Sequence, residues 1–453
     1  MIAIVTRSAR LLAAHWPALV AWMLGGTLAH FLVLELAAIV GARTALGGIL
    51  LLPLAALALL VAYVAMFLVL RDGMPRLREL APLPDDARER RIAFLNGVLG
   101  GILPFVAFYA AWGFVRDDVA SYLNGVHFWL SQWGQLAAVQ GLKFDTSGTG
   151  DAIGFDVVTV TILILAFAGR WAHKRYKDRL PAWTGVPAAY LEVLWVYLAA
   201  YMITDLVSIV TDWVASRQAM VWLTDFRAGL VGVFAPLGFL WDAVEWFLGE
   251  AGGLILLPVA WLTIAGVVYG QAVKAAAPTL SGRTVDRVRT RYGTVPERVR
   301  RRLGDVWQDL TGRFRPIGRA IVLMWRAGPV LIAGYVLLYT LVLLGQEWLS
   351  IGVSRLIGPL PFVTVAVPLS IGVAMLLRVV VTPVQTVLIA ATYDRTLAMM
   401  ASAAGDDRRG VDGELEIDGL ARSADPHDDP QRPVEVGGQQ EGSDELVGRD
   451  RIG

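Results

Sequence analysis

The sequence predicts an all-α fold: a polytopic helical membrane protein of about eight transmembrane helices, both termini cytoplasmic, with a disordered C-terminal tail. Three observations predict it. Of 453 residues, 56% are apolar or aromatic and only 17% are charged. Soluble domains run near about 45–50% and about 25%. The apolar residues fall into separate runs of about 20, the helix length that crosses a hydrocarbon core of about 30 Å. Lys and Arg collect in alternate connecting segments, which assigns a side of the membrane to each.

The runs are 17–41, 46–70, 93–115, 153–170, 187–208, 251–272, 327–348 and 362–382. The first follows Arg7 and Arg10 and contains Glu35. It exceeds the roughly 7–15 residues of a signal-peptide core, so it reads as a retained span. The fourth is the shortest. Residues 228–241 form a further apolar run of 14, a length that suits a re-entrant or interfacial helix. The run 361–393 is too long for one span, and Pro368 and Pro383 are its expected break points. With the N-terminus inside, the inner segments 71–92, 170–186 and 274–326 and the N-terminal arginines hold 26 basic residues. The outer segments hold six: Arg43, Arg116, Lys143, Arg217, Arg227 and Arg355. The two long outer segments are 116–152 and 209–250.

Two parts follow from this pattern. Residues 1–403 form the transmembrane helical domain, including the cytoplasmic basic loop 274–326. Residues 404–453 form an acidic cytoplasmic tail with 14 acids, six arginines and no aromatic residue. Such a segment lacks the apolar surface to offset ordering and is expected to be disordered. It offers a docking segment for a soluble protein partner. In the basic loop, Thr294 and Glu297 form a capping box, and apolar residues recur at helical spacing from Val299 to Phe314. Arg298, Arg301 and Arg302 are interleaved with Trp307 on a basic amphipathic helix. That chemistry suits an anionic lipid surface.

Ionisable residues inside the bilayer are costly and mark candidate sites. On the fifth run, Tyr201, Asp205, Ser208 and Asp212 share one helix face. This face is expected to wall an outward vestibule, with Asp212 in solvent. On the eighth, Arg378 shares a face with Thr382 and Gln385. In a span of 362–382 it lies near the inner edge and can snorkel to the interface; if Pro383 breaks the helix within the membrane, Glu192 at similar depth is its expected partner. Glu35 has no partner at helical spacing on its own run. Gly25, Gly26, Gly97, Gly100 and Gly101 are expected to admit close helix contact.

The chain has no cysteine, which excludes disulfides, thiolate metal sites and thiol nucleophiles. The five histidines, His15, His30, His127, His173 and His427, are widely separated, and no metal or cofactor is expected. No phosphate-binding loop or nucleophile elbow is present. Asp117 and Asp118 are the one outer acid pair that could serve a membrane enzyme; a solvated helix end is the plainer expectation. Acidic and basic residues nearly cancel, and nothing points to nucleic acid. The excess of Arg over Lys, with much Ala, Gly and Val, suggests a GC-rich bacterium. The functional expectation is a non-enzymatic multi-pass plasma-membrane protein, a transporter or permease for a small solute or lipid. The alternative is a non-catalytic membrane scaffold or assembly factor of the cell envelope.

Overall fold

The computed structural model describes residues 2–80, 86–142, 157–176, 179–181, 184–233, 239, 241–244, 246, 249, 252–276, 328–358, 361, 365 and 367–423. Among these there is no strand. The helices are α1 (Ile2–Gly41), α2 (Ala45–Arg71), α3 (Pro75–Leu80), α4 (Ala87–Ala111), α5 (Phe114–Val139), α6 (Val157–Tyr176), α7 (Gly185–Ala215), α8 (Gln218–Val233), α9 (Leu257–Ala276), α10 (Pro329–Ile357) and α11 (Val367–Ser423). A π-helical turn, Gly252–Leu256, precedes α9.

Among the described residues, seven helices are long and apolar enough to cross a membrane: α1, α2, α4, α6, α7, α10 and the Leu369–Met399 part of α11. They carry the fold of a helical membrane protein. The expected count was eight. The remaining run, 251–272, contributes a shorter apolar helix over Leu254–Gly270 among the described residues. Other boundaries also move. α1 begins at Ile2 rather than near 17, with Pro17 inside it. The last span lies at Leu369–Met399 rather than 362–382. Pro368 falls in the first turn of α11, where its missing N–H costs nothing. Pro383 lies inside a continuous helix rather than ending it. Residues 404–423 of the expected disordered tail are helical as the end of α11; once a helix exists, each further residue adds one bond without a new nucleus. Residues 424–453 and the basic loop 277–327 lie outside the described residues. In the run 228–241, Ala228–Val233 close α8, and 234–238 and 240 lie outside them.

The apolar surface is turned outward in stripes. On α1, Leu24, Leu28, Leu32 and Leu36 recur every fourth residue and are 54%, 53%, 55% and 49% exposed. On α10, Leu337, Leu341, Leu344, Trp348 and Ile351 form a second exposed stripe. Contiguous apolar faces of this kind mark contact with lipid or protein. The opposite faces pack inward with small residues. A methyl group at Gly26 would lie 2.4 Å from the Ala62 Cβ of α2, and one at Gly97 or Gly101 would meet Val64 or Leu60 at 3.2–3.3 Å. Gly25, by contrast, has nothing within 4 Å. α1 and α2 form the most extensive pair; α4 lies against α2, α7 and α9, and α6 packs on α7.

The outer segment 116–152, expected as a loop, contains the 26-residue helix α5, which lies across α1. Tyr122 of α5 is seated against Gly41 and Gly48, and Gly125 against Ala38. At the other end of the bundle, Asp394 of α11 is fully buried. It pairs with Arg7 at 2.7 Å and accepts the Leu77 N–H of α3 at 3.2 Å.

Gly26→Val is expected to lower stability by about 1–3 kcal/mol, the cost of overpacking a close contact. Gly25→Ala should leave it unchanged. Thermal unfolding of the purified protein in detergent reads both, and equal midpoints for the two variants would remove Gly26 from the α1–α2 contact.

Candidate functional site

Residues at intervals of three, four and seven share one face of a helix. On α10, Gln346, Ser350 and Ser354 form such a row, with Glu347 beside it. On α11, Ser370, Ala374, Arg378 and Thr382 form another, with Gln385 three residues further on. These two rows line one cavity of about 690 Å³, within the roughly 300–1,000 Å³ typical of ligand sites. Lining residues on α10 run from Tyr339 to Ile357, which is roughly 27 Å of helix. The cavity is therefore elongated along the bundle.

Its other side is aromatic. Tyr63 of α2, Phe105, Phe108 and Tyr109 of α4, and Trp261 of α9 all line it. Tyr63 and Trp261 have ring centroids 4.4 Å apart, Phe108 and Trp261 4.7 Å, and Phe105 and Tyr109 5.5 Å. Each ring supports the next in tilted, edge or stacked geometry. Tyr339 of α10 is buried nearby, and its neighbour Tyr335 donates to the Pro258 carbonyl at 2.9 Å, holding α10 to the start of α9.

Arg378 is the cation of this cavity. It stands on the apolar Leu369–Met399 part of α11. No carboxylate among the described residues pairs with it. Tyr63 and Thr382, which share a side-chain hydrogen bond, sit at the same level. Glu347 lines the cavity eight residues beyond Tyr339 on α10, roughly 12 Å toward the Gly358 end. It forms no ion pair with Arg378.

Behind the aromatic wall is a buried polar knot. His30 of α1 and Asp118 of α5 are 8% and 4% exposed. His30 Nε2 lies 2.9 Å from Asp118 Oδ1, and the Tyr109 hydroxyl donates to Asp118 Oδ2 at 2.9 Å. Asp118 is thus not the solvated helix-end acid expected from the sequence, whereas Asp117 is exposed. A second tie lies further along the same two helices: the Trp129 indole N–H donates to Glu35 at 2.8 Å. Glu35 thereby has the partner that its own helix could not supply. Tyr109 belongs to both structures, closing the knot on one side and walling the cavity on the other.

No protein-family model, curated protein or solved structure matches this chain. The site therefore has to be read from its own residues.

Of the sequence-derived candidates, Arg378, Thr382 and Gln385 come together in the cavity. Glu192 does not join them. It is paired with Arg170 of α6, whose guanidinium also lies 5.6 Å from the Trp195 ring. The Tyr201, Asp205 and Ser208 face of α7 is not part of the cavity lining. Tyr201 packs half-buried against the core, and the charges bearing on it are Asp205 and Arg116. Ser208 donates to the Asp205 carbonyl at 2.7 Å, and Thr204 and Thr211 likewise bond their own helix. Asp212 is exposed. Arg298, Arg301, Arg302 and Trp307 lie outside the described residues. Among the described residues no cluster of three or more metal-ligating side chains occurs.

The residues that the sequence did not bring forward are Ser350, Ser354 and the aromatic wall. The available signal was the polar row that continues from the end of the seventh run into the residues after it, which contrasts with the leucine stripe on the other face.

Asp118→Ala removes the acceptor of both His30 and Tyr109 and strands them in the interior. It is expected to cost about 1–3 kcal/mol, read as a lowered unfolding midpoint. Asp117→Ala should leave the midpoint where it is; an equal loss from both would make Asp118 an ordinary surface acid.

Proposed function

We propose that this chain is a multi-pass plasma-membrane transport protein that carries a small solute or lipid through the α10–α11 cavity. One observation carries the reading: a guanidinium with no ion-pair partner among the described residues lines an elongated cavity on an apolar helix. A charge on such a helix is stable in a bilayer only where it meets water, protein polar groups or a bound counter-ion. The aromatic wall and the polar rows supply the two faces that an amphipathic solute needs.

The orientation follows from the distribution of Lys and Arg. Counting α9 as a short crossing, the bundle has eight, with both termini cytoplasmic. The Gly358 end of the cavity then faces outside, and the Arg7–Asp394 pair closes the bundle on the cytoplasmic side. In this reading the basic loop rests on anionic lipid and the chain performs no catalysis.

The absence of cysteine makes site-specific labelling free of background. Single cysteines at Ser354, Ala374 and Thr382, with Leu341 as a lipid-facing control, are to be labelled with a membrane-impermeant thiol reagent from each side. Ser354→Cys and Ala374→Cys are expected to react from outside, and Leu341→Cys from neither side. Thr382→Cys is expected to react from both sides, or to change reactivity when an ion gradient is imposed. Reaction of Thr382→Cys from outside only, under every gradient, would make the cavity a static vestibule and put the envelope scaffold in place of the transporter.

A further inference from the structure

We infer that the cavity binds an amphipathic organic anion, a carboxylate or phosphate head on a hydrocarbon or aromatic body, with Arg378 holding the head and the Tyr63–Phe105–Trp261 wall holding the body. This deepens the transport reading and rests on the same cavity, but it concerns binding and can be tested without movement across the membrane.

The sign of the ligand follows from the charge inventory of the cavity. Its described lining residues include one cation, Arg378, and one anion, Glu347. The two form no ion pair. The nearest buried carboxylate behind the wall, Asp118, is already satisfied by His30 and by the Tyr109 hydroxyl. Arg378 therefore offers the head a guanidinium that no carboxylate among the described residues holds. A guanidinium presents a planar fork of donors that suits a carboxylate or phosphate in two-point contact. Thr382 stands one turn further along the same face, and Gln385 beside it, so a hydroxyl and an amide flank the head position.

The body follows from the opposite wall. Tyr63, Phe105 and Trp261 form a contiguous aromatic surface, with ring centroids 4.4–6.3 Å apart. A small inorganic anion would leave this surface and most of the 690 Å³ unused. A hydrocarbon or aromatic body covers it and gains the usual return on buried apolar area. A quaternary ammonium could also use aromatic faces, but it would be placed beside Arg378.

The test is equilibrium dialysis of the full-length protein in neutral-lipid nanodiscs against radiolabelled octyl phosphate. Unlabelled octanoate, octyltrimethylammonium and inorganic phosphate serve as competitors. Octyl phosphate is expected to bind saturably. Octanoate should displace it, and the cation and inorganic phosphate should be at least tenfold weaker competitors. Arg378→Gln should weaken binding tenfold or more, and Arg378→Lys, which keeps the charge but loses the fork, by less. Both variants are to be checked for an unchanged unfolding midpoint, and Trp261→Leu should weaken octyl phosphate without changing competition by inorganic phosphate.

Equal binding by wild type and Arg378→Gln would overturn the inference. So would equal competition by octyltrimethylammonium, and inorganic phosphate matching octyl phosphate would overturn the amphipathic part. Flux of octyl phosphate into proteoliposomes separates this from the transport reading. Binding without flux leaves the ligand class standing and removes transport; flux of another solute without octyl phosphate binding does the reverse.

Discussion

In a bilayer, lipid tails are as apolar as leucine, so apolar burial alone does not draw one helix to another. Every other feature of this bundle depends on that constraint. Close approach has to come from small residues, and specificity from polar groups that find no water. Gly26 against Ala62 supplies the first for α1 and α2. The second is supplied at three depths. Asp394 joins α11 to α1 and α3, the His30–Asp118–Tyr109 knot joins α1, α5 and α4, and Trp129–Glu35 joins α5 to α1 again. Each tie bridges segments far apart in sequence, which sets the register of helices that apolar contact would leave free to slide.

The cavity inherits its asymmetry from the same ties. Its aromatic side is built on α2, α4 and α9, where rings support each other and Tyr109 is fastened from behind. Its polar side is built on α10 and α11. α10 presents a leucine stripe outward and is held to α9 by the Tyr335 hydroxyl on Pro258. A firm apolar wall thus faces polar rows on two separate helices, and Arg378 stands on one of those rows.

Much of the architecture was legible because lipid enforces it at the level of composition. The helical class, the approximate spans and the polar face Arg378–Thr382–Gln385 all follow from periodicity and hydropathy. What could not be read was pairing across the bundle. Glu35 looked solitary along its own helix and Asp118 looked like half of a solvated acid pair, because their partners, Trp129 and His30, arrive from a different helix. Arg378 and Glu192 looked matched in depth, yet Arg170 was the nearer cation once α6 packed on α7. The long run 361–393 was divided in the wrong place for a related reason. Prolines mark where a helix is weakened; whether it ends there depends on contacts such as those of Asp394, beyond the run itself.

Pro383 has a mechanical consequence. Lacking an N–H, it leaves the Val379 carbonyl without the usual helical donor, and its ring crowds that carbonyl. α11 is therefore softest between two regions with different duties. On one side are Ser370 to Arg378, which face the cavity; on the other are Tyr393, stacked near Tyr269, and Asp394 with its two ties. A bend at this point would shift the guanidinium relative to the half of the helix that Asp394 anchors.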